Sequence, residues 1–345
     1  MKKNTRTLII LGAVLVICIG AYIGVSLFNS NQAQKTAEET APVQLYAGGR
    51  SAPVSISYES AGITLSFVLQ EGTWHVAGNK DFPLNQSSLS SLAGAINSLT
   101  AVRTIDMSLP LSTYGLDKPS YTVTASDAAG NVLKLLIGAP YDAYHYAMPE
   151  GGDKIYTISS TLAGYLKTDL LSMIVLDTVP TLSASSIDVI KLASGASSLT
   201  LDKHQNKDST YTWFIVEGAA YTAADDYVLP EGAEKSAESY VTGAVKAVSS
   251  ARFASCAVFK PTGEELASHG LDDPQMTVTV DYTTTSGTGP DTTSESGTVV
   301  FDIGSARSDG TGYDARLPGS LQINVLPNDA VEPLLKALMA FNPAE

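Results

Sequence analysis

Gly115-Leu116-Asp117-Lys118-Pro119 returns later in the chain as Gly270-Leu271-Asp272-Asp273-Pro274. The surroundings of the first copy return in the same order. Thr73-Trp74 is matched by Thr212-Trp213, and a helix-like run ending at Arg103 by one ending at Arg252. Downstream, Ile137-Gly138 is echoed by Ile303-Gly304, and Ile155-Tyr156-Thr157-Ile158 by Leu321-Gln322-Ile323-Asn324-Val325. Five landmarks kept in order predict the internal duplication of one domain, not a short-period solenoid. The pentapeptide itself reads as a structural joint. Gly115 and Gly270 supply a backbone angle other residues resist, and Leu116 and Leu271 plug into the core beside the helix just completed. Asp117 and Asp272 can bond nearby amides, while Pro119 and Pro274 hold the preceding residue extended so that a strand can begin.

Around the joints the pattern alternates between two periods. Val54–Tyr58, Ile63–Leu69 and Thr73–Ala77 alternate as antiparallel strands do. Asn85 then caps a helix whose Leu89, Leu92, Ile96 and Leu99 form one apolar stripe. Tyr121–Ala125, Val132–Ile137, Tyr144–Met148 and Lys154–Ile158 predict a four-strand meander, closed by a helix at Leu162–Leu170. The second copy repeats the plan. Strands are expected at Ile187–Leu192, Ser198–Leu201 and Thr210–Val216, a helix at Glu234–Ser249, further strands from Met276 to Val325, and a final helix at Ala330–Phe341. Thr283–Ser296, rich in Thr, Ser and Gly, reads as a solvent-exposed extension of one hairpin. The expected class is α+β, an N-terminal transmembrane helix followed by two tandem repeats, each an antiparallel sheet packed on one main helix plus a short closing helix.

Residues 1–28 carry Lys2, Lys3 and Arg6 and then run uncharged from Leu8 to Phe28. That run is about 30 Å long as a helix, enough to cross a bilayer's hydrocarbon core. The basic start predicts a cytoplasmic N-terminus, leaving the remainder extracytoplasmic. A cleaved signal peptide has a shorter apolar core and a small-residue cleavage site, which Ser26-Leu27-Phe28 supplies poorly. Lipidation of Cys18 would want a small residue where Ile17 stands. The expected domains are the anchor at 1–28, a flexible Gln-, Ala-, Thr- and Glu-rich stalk at 29–52, repeat 1 at 53–176 and repeat 2 at 185–345, with a link around Pro180.

All 35 acidic residues lie beyond Phe28, against 18 of the 21 basic ones. Such a surface repels nucleic acid and anionic lipid headgroups, and no nucleic-acid partner is expected. Cys256 has no extracytoplasmic partner, so no intrachain disulfide can form there. The histidines 75, 145, 204 and 269 form no HExxH pair, and no GxSxG elbow, SxxK pair or GxxxxGK loop occurs. The pairs Asp225-Asp226 and Asp272-Asp273 hint at a glycosidase, but spacing alone does not place them across a cleft, and Asp302, Asp309 and Asp314 lack the regular calcium-loop order. No catalytic residue, metal or cofactor is expected, and Arg103 and Arg252 read as complements to helix C-termini. A recognition surface, if present, would draw on Tyr141, Tyr144 and Tyr146, or on Trp74 and Trp213, whose bland role is to fill the core under each helix.

The strand tryptophan, the helix ending near arginine, YGLDKP, the strand ending in IG and KIYTI together resemble the bacterial domain-of-unknown-function 4340 family. The resemblance is clearest over Val54–Leu170; in the second copy His269 replaces the tyrosine before the joint glycine. It implies a membrane-anchored extracytoplasmic protein, often encoded beside ABC-type transporter components, and it carries no catalytic residues. The expectation is a non-enzymatic interaction or scaffold protein, accessory to an ABC-type transporter permease or another envelope system. A binding module for cell-wall glycans or a small ligand is the alternative.

Overall fold

The computed structural model describes residues 43–46, 51–60, 62–208, 210–286 and 293–342. The expected membrane span and the stalk up to residue 42 lie outside them. Among the described residues no helix is long and apolar enough to cross a membrane. The chain divides into two compact units, Met1–Met173 and Ile174–Glu345.

Unit 1 runs β1 (Val43–Gln44), β2 (Pro53–Ser60), β3 (Ile63–Gln70), β4 (Thr73–Val76), α1 (Gln86–Asn97), β5 (Thr100–Ala101) and β6 (Arg103–Asp106). A 3-10 turn at Leu111–Tyr114 leads into the joint. The meander β7 (Tyr121–Asp127), β8 (Val132–Tyr141), β9 (Tyr144–Pro149) and β10 (Lys154–Ser159) follows, and α2 (Ser160–Leu166) closes the unit. The eight-stranded sheet has the order β4-β3-β2-β7-β8-β9-β10-β6, every pair antiparallel.

Alternation puts Ile56, Tyr58, Phe67, Val123, Leu135 and Ile137 on one face, all buried. α1 packs on β2 and β4, with Leu89, Leu92 and Ile96 almost wholly buried. Each such leucine contributes about 1.5–3 kcal/mol. Asn85 caps α1 as expected, its Oδ1 accepting from the Ser87 amide at 3.1 Å. The end of the presumed stalk departs from expectation. β1 pairs with β5, the Leu45 amide donates to the Leu99 carbonyl at 2.9 Å, and the Tyr46 ring is fully buried. Val43–Tyr46 is therefore part of unit 1.

Unit 2 runs β11 (Ile187–Ser194), β12 (Ser197–Gln205), β13 (Tyr211–Glu217), β14 (Ala220–Ala223), α3 (Ala237–Ser250), β15 (Ser255–Phe259) and α4 (Gly263–Ser268). The second joint follows, then β16 (Met276–Ser286), β17 (Thr293–Ala306), β18 (Tyr313–Arg316), β19 (Gln322–Leu326) and α5 (Asn328–Phe341). Its nine-stranded sheet is ordered β14-β13-β12-β11-β16-β17-β18-β19-β15. Apart from the added edge strand β14, this is the strand order of unit 1.

Two boundaries differ from the sequence-based expectation. The stretch 177–184 is no free link: Val179 and Leu182 belong to the unit 2 core, and Asp177 Oδ2 accepts from Asn324 Nδ2 at 2.9 Å and from Ser320 Oγ. The closing helix of unit 2 is not short either. α5 has 14 residues, like α3, and the two pack together where Gly243 faces the Pro333 ring. Their buried faces, including Val241, Ala244, Val248, Val331 and Leu334, cover Ile190, Leu201, Val278 and Phe301.

Candidate functional site: the paired joints

Each joint is held by a close approach that explains two of the recurring landmarks at once. Gly115 has φ 67° and Gly270 φ 66°, the left-handed region that favours glycine. A β-carbon on Gly115 would stand 2.7 Å from the Ala139 nitrogen, and one on Gly270 2.6 Å from Ser305 Oγ. The approach is mutual. A β-carbon on Gly138 would collide with the Tyr114 carbonyl oxygen, and one on Gly304 with that of His269. In unit 2 the Ser305 amide donates to that His269 carbonyl at 2.9 Å. The IG dipeptide is thus the seat on which the joint rests. Both seats lie in a β-bulge, between Ile137 and Pro140 and between Ile303 and Ala306, which bends the strand toward the joint.

Leu116 and Leu271 are both buried, and Leu116 does not sit beside the main helix. Leu116 joins Tyr114, Met148 and Ile155 in a separate small cluster flanked by Leu136 and Tyr146. Leu136 lies between Leu135 and Ile137, so strand alternation places this cluster on the opposite face of the sheet from α1. Asp117 and Asp272 are exposed, and Asp272 Oδ1 accepts from its neighbour's amide, Asp273, at 3.0 Å. Pro119 and Pro274 are half-buried at the entry to β7 and β16.

On this outer face the units diverge. Strand register makes Ala147 the counterpart of Ala315, since they face Ile137 and Ile303 respectively. Three further equivalences follow: Tyr114 with His269, Tyr146 with Asp314, and Tyr141 with Arg307. In unit 1 these positions hold an aromatic trio. The Tyr146 ring lies 5.1 Å edge-on from Tyr114 and 5.7 Å from Tyr141. In unit 2 they hold His269, Asp314 and Arg307. Asp314, 5% exposed, takes His269 Nδ1 at 2.6 Å on one oxygen and Arg307 Nη1 at 2.8 Å on the other. Asp314 raises the Arg307 pKa above its ordinary value, chiefly by accepting that hydrogen bond. Arg307 Nε is buried without a partner.

Of the residues singled out in the sequence, Tyr141 and Tyr146 meet on this surface, with Tyr141 half-exposed. Tyr144 pairs with Tyr141 across the β8–β9 turn. His145, between them, points the other way, is buried, and meets Ser160 Oγ at 3.1 Å. Burial, and then the charge of Lys167, lowers its pKa. The tryptophans lie elsewhere. Trp74 is 5% exposed, its backbone clamped by the Gln86 side-chain amide at 2.7 and 2.9 Å. Trp213 packs against the unit 2 core. Neither ring joins the tyrosines.

The two arginines part company. Arg252 donates to the Ala251 carbonyl that ends α3, whereas Arg103 opens the edge strand β6, away from the end of α1. Asp225 and Asp226 sit side by side on an exposed turn. Asp302 accepts from Thr277, whereas Asp309 and Asp314 both accept from Arg307. Among the described residues no three His, Cys, Asp or Glu side chains are grouped to hold a metal ion. Cys256 is buried, and burial pushes its thiol up to about 11.

The fold and joints define a protein of two α+β units whose sheets share one strand order. Residues 74–231 match the model of the family described as domain of unknown function (DUF4340). The match starts at Trp74 and ends beyond β14, so it takes in the joint and meander of unit 1 and the first four strands of unit 2. It begins inside the Val54–Leu170 span of the resemblance and runs past that span's end into unit 2. No curated protein and no solved structure matches the chain.

Proposed function

We propose that the chain is an internally duplicated, non-enzymatic interaction module, tethered outside the cell by its N-terminal apolar run and accessory to an ABC-type transporter or another envelope assembly. One observation carries the reading. The joint and its glycine seat are the same in both units, while the three positions beside them, from buried Tyr114 and Asp314 to half-exposed Tyr141, change from Tyr114, Tyr141 and Tyr146 to His269, Arg307 and Asp314. Keeping a scaffold and changing the chemistry it presents is what recognition of two different surfaces requires. Tyrosine binds at low entropic cost, and an Arg–Asp–His set selects by charge.

The test is crosslinking in intact cells of the producing organism, followed by solubilisation and identification of what is joined to the chain. A transporter permease or other envelope protein is expected, lost on Tyr141→Ala or Arg307→Ala. Recovery of no such protein, or recovery untouched by both substitutions, would sink the proposal. The alternative, a module for cell-wall glycans or a small ligand, finds no support at Trp74, whose ring is buried. A different place in unit 2 favours it.

A further inference from the structure

The β16–β17 hairpin is longer than its counterpart in unit 1. In unit 1 the corresponding hairpin closes at Asp127, whose Oδ1 accepts from the Ala129 and Asn131 amides at 3.0 and 2.8 Å. In unit 2 the strands continue past Tyr282, pairing Thr283 with Ser296 through Ser286 with Thr293. The Thr283 amide donates to the Ser186 carbonyl at 2.8 Å, fastening the extension to the loop before β11. Extension, loop and the ends of β12 and β13 enclose a cleft of about 780 Å³. Small-molecule sites occupy roughly 300–1,000 Å³.

The lining has a definite chemistry. Seven of its twelve residues are Ser or Thr, and the only charged pair is Asp188 and Lys203. Lys203 lies on the helix-bearing face of the sheet, opposite Trp213 and two residues beyond the core residue Leu201. Its side chain is 6% exposed, and its Nζ donates to the Ser185 carbonyl at 2.6 Å and meets Asp188 Oδ1 at 3.3 Å. That pairing cancels the charge inside the cleft. A phosphate or carboxylate ligand therefore gains no net attraction, and a neutral one is not penalised. Lys203 Nζ also stands 5.1 Å from the centroid of the Tyr211 ring, a 53% exposed aromatic surface at the rim. A ring beside a wall of hydroxyls offers one apolar plate and many donors and acceptors. A sugar, with its C–H face and its hydroxyl edge, presents the complementary pair.

We propose that this cleft in unit 2 binds a neutral oligosaccharide, stacked on Tyr211 and hydrogen-bonded by the Ser and Thr side chains of the loop and hairpin. The proposal does not rest on the transporter-accessory reading, since binding is measured on the isolated protein. The full-length chain, held in a detergent without a sugar headgroup, would be screened on an array of neutral and acidic glycans. It would then be titrated calorimetrically with cellotetraose, chitotetraose, maltotetraose and tetragalacturonate. At least one neutral tetrasaccharide is expected to bind. Tyr211→Ala should weaken it tenfold or more, and Thr285→Trp, at an exposed wall position, should block it by bulk with the melting temperature unchanged. Silence from every neutral glycan, preference for the galacturonate, or wild-type affinity in both variants would overturn the assignment. None of these results depends on whether crosslinking finds an envelope partner.

Discussion

Gly138 and Gly304 are the residues on which each unit's geometry turns, because a backbone carbonyl occupies the space where their β-carbons would go. Neither has the positive backbone angle that usually marks an indispensable glycine; the reason is the neighbour. Gly138→Ala or Gly304→Ala must push the joint off its seat, and a cost of about 1–3 kcal/mol is expected from such overpacking. Gly94 in α1 is the control. Nothing lies within 4 Å of its missing β-carbon, so Gly94→Ala should stabilise unit 1 by roughly 0.5–1 kcal/mol through helix propensity. Urea titration of the three variants checks both signs. The recurrence of Ile-Gly was plain in the sequence, but its meaning was not. The partner of each glycine is a carbonyl belonging to a turn more than twenty residues away, and backbone atoms leave no compositional trace.

At the scale of elements, the β7–β8 hairpin is closed by one carboxylate. Asp127 gathers four donors: the Ala129 and Asn131 amides, the Asn131 side chain at 2.9 Å and the Ser51 amide at 3.1 Å. These bonds, the Asn131 side chain foremost, hold its carboxyl below the usual aspartate range. A depressed folded-state pKa means stability that is fully present above the unfolded value, about 4, and lost as pH falls through the folded value. The melting-temperature gap between wild type and Asp127→Ala should thus be wide at pH 7 and narrow steadily below about pH 4. A gap independent of pH would remove the carboxylate from the account.

The charged trio is likewise an element-scale device, tying β18 to the bulge of β17 and to the end of α4. Asp314→Ala leaves His269 and Arg307 facing each other across a cavity. Both are about a quarter exposed, which lowers the usual cost of breaking a buried pair to roughly 2–3 kcal/mol. The combined replacement His269→Tyr, Arg307→Tyr and Asp314→Tyr rebuilds the trio of unit 1 and should recover most of that loss in chemical denaturation.

For the whole molecule, what the sequence disclosed depended on periodicity. Leu89, Leu92 and Ile96 announce α1, and the four strands after Gly115 announce the meander, because half-buried elements repeat. The edge strands β6, β14 and β15 are only four or five residues long, too short for alternation to register. α4 has no buried residue, so it shows no stripe, although the capping box of Thr262 and Glu265 was there to be read. The candidate surface was legible in half. Three tyrosines close together drew attention in unit 1, whereas His269 stands apart in sequence from Arg307 and Asp314. Only the substitution at the position before Gly270 hinted at them. The cleft beside Tyr211 was hidden for a similar reason: its walls come from four separate stretches.

Tyr46 has a mechanical consequence. The described chain enters unit 1 through β1, two backbone pairs long, and then buries this ring completely. Any pull transmitted along the polypeptide ahead of Val43 must first peel β1 from β5. It must then draw a tyrosine side chain out of a closed interior before it can strain the eight-stranded sheet. The entry point is therefore the first part of unit 1 to bear such a load.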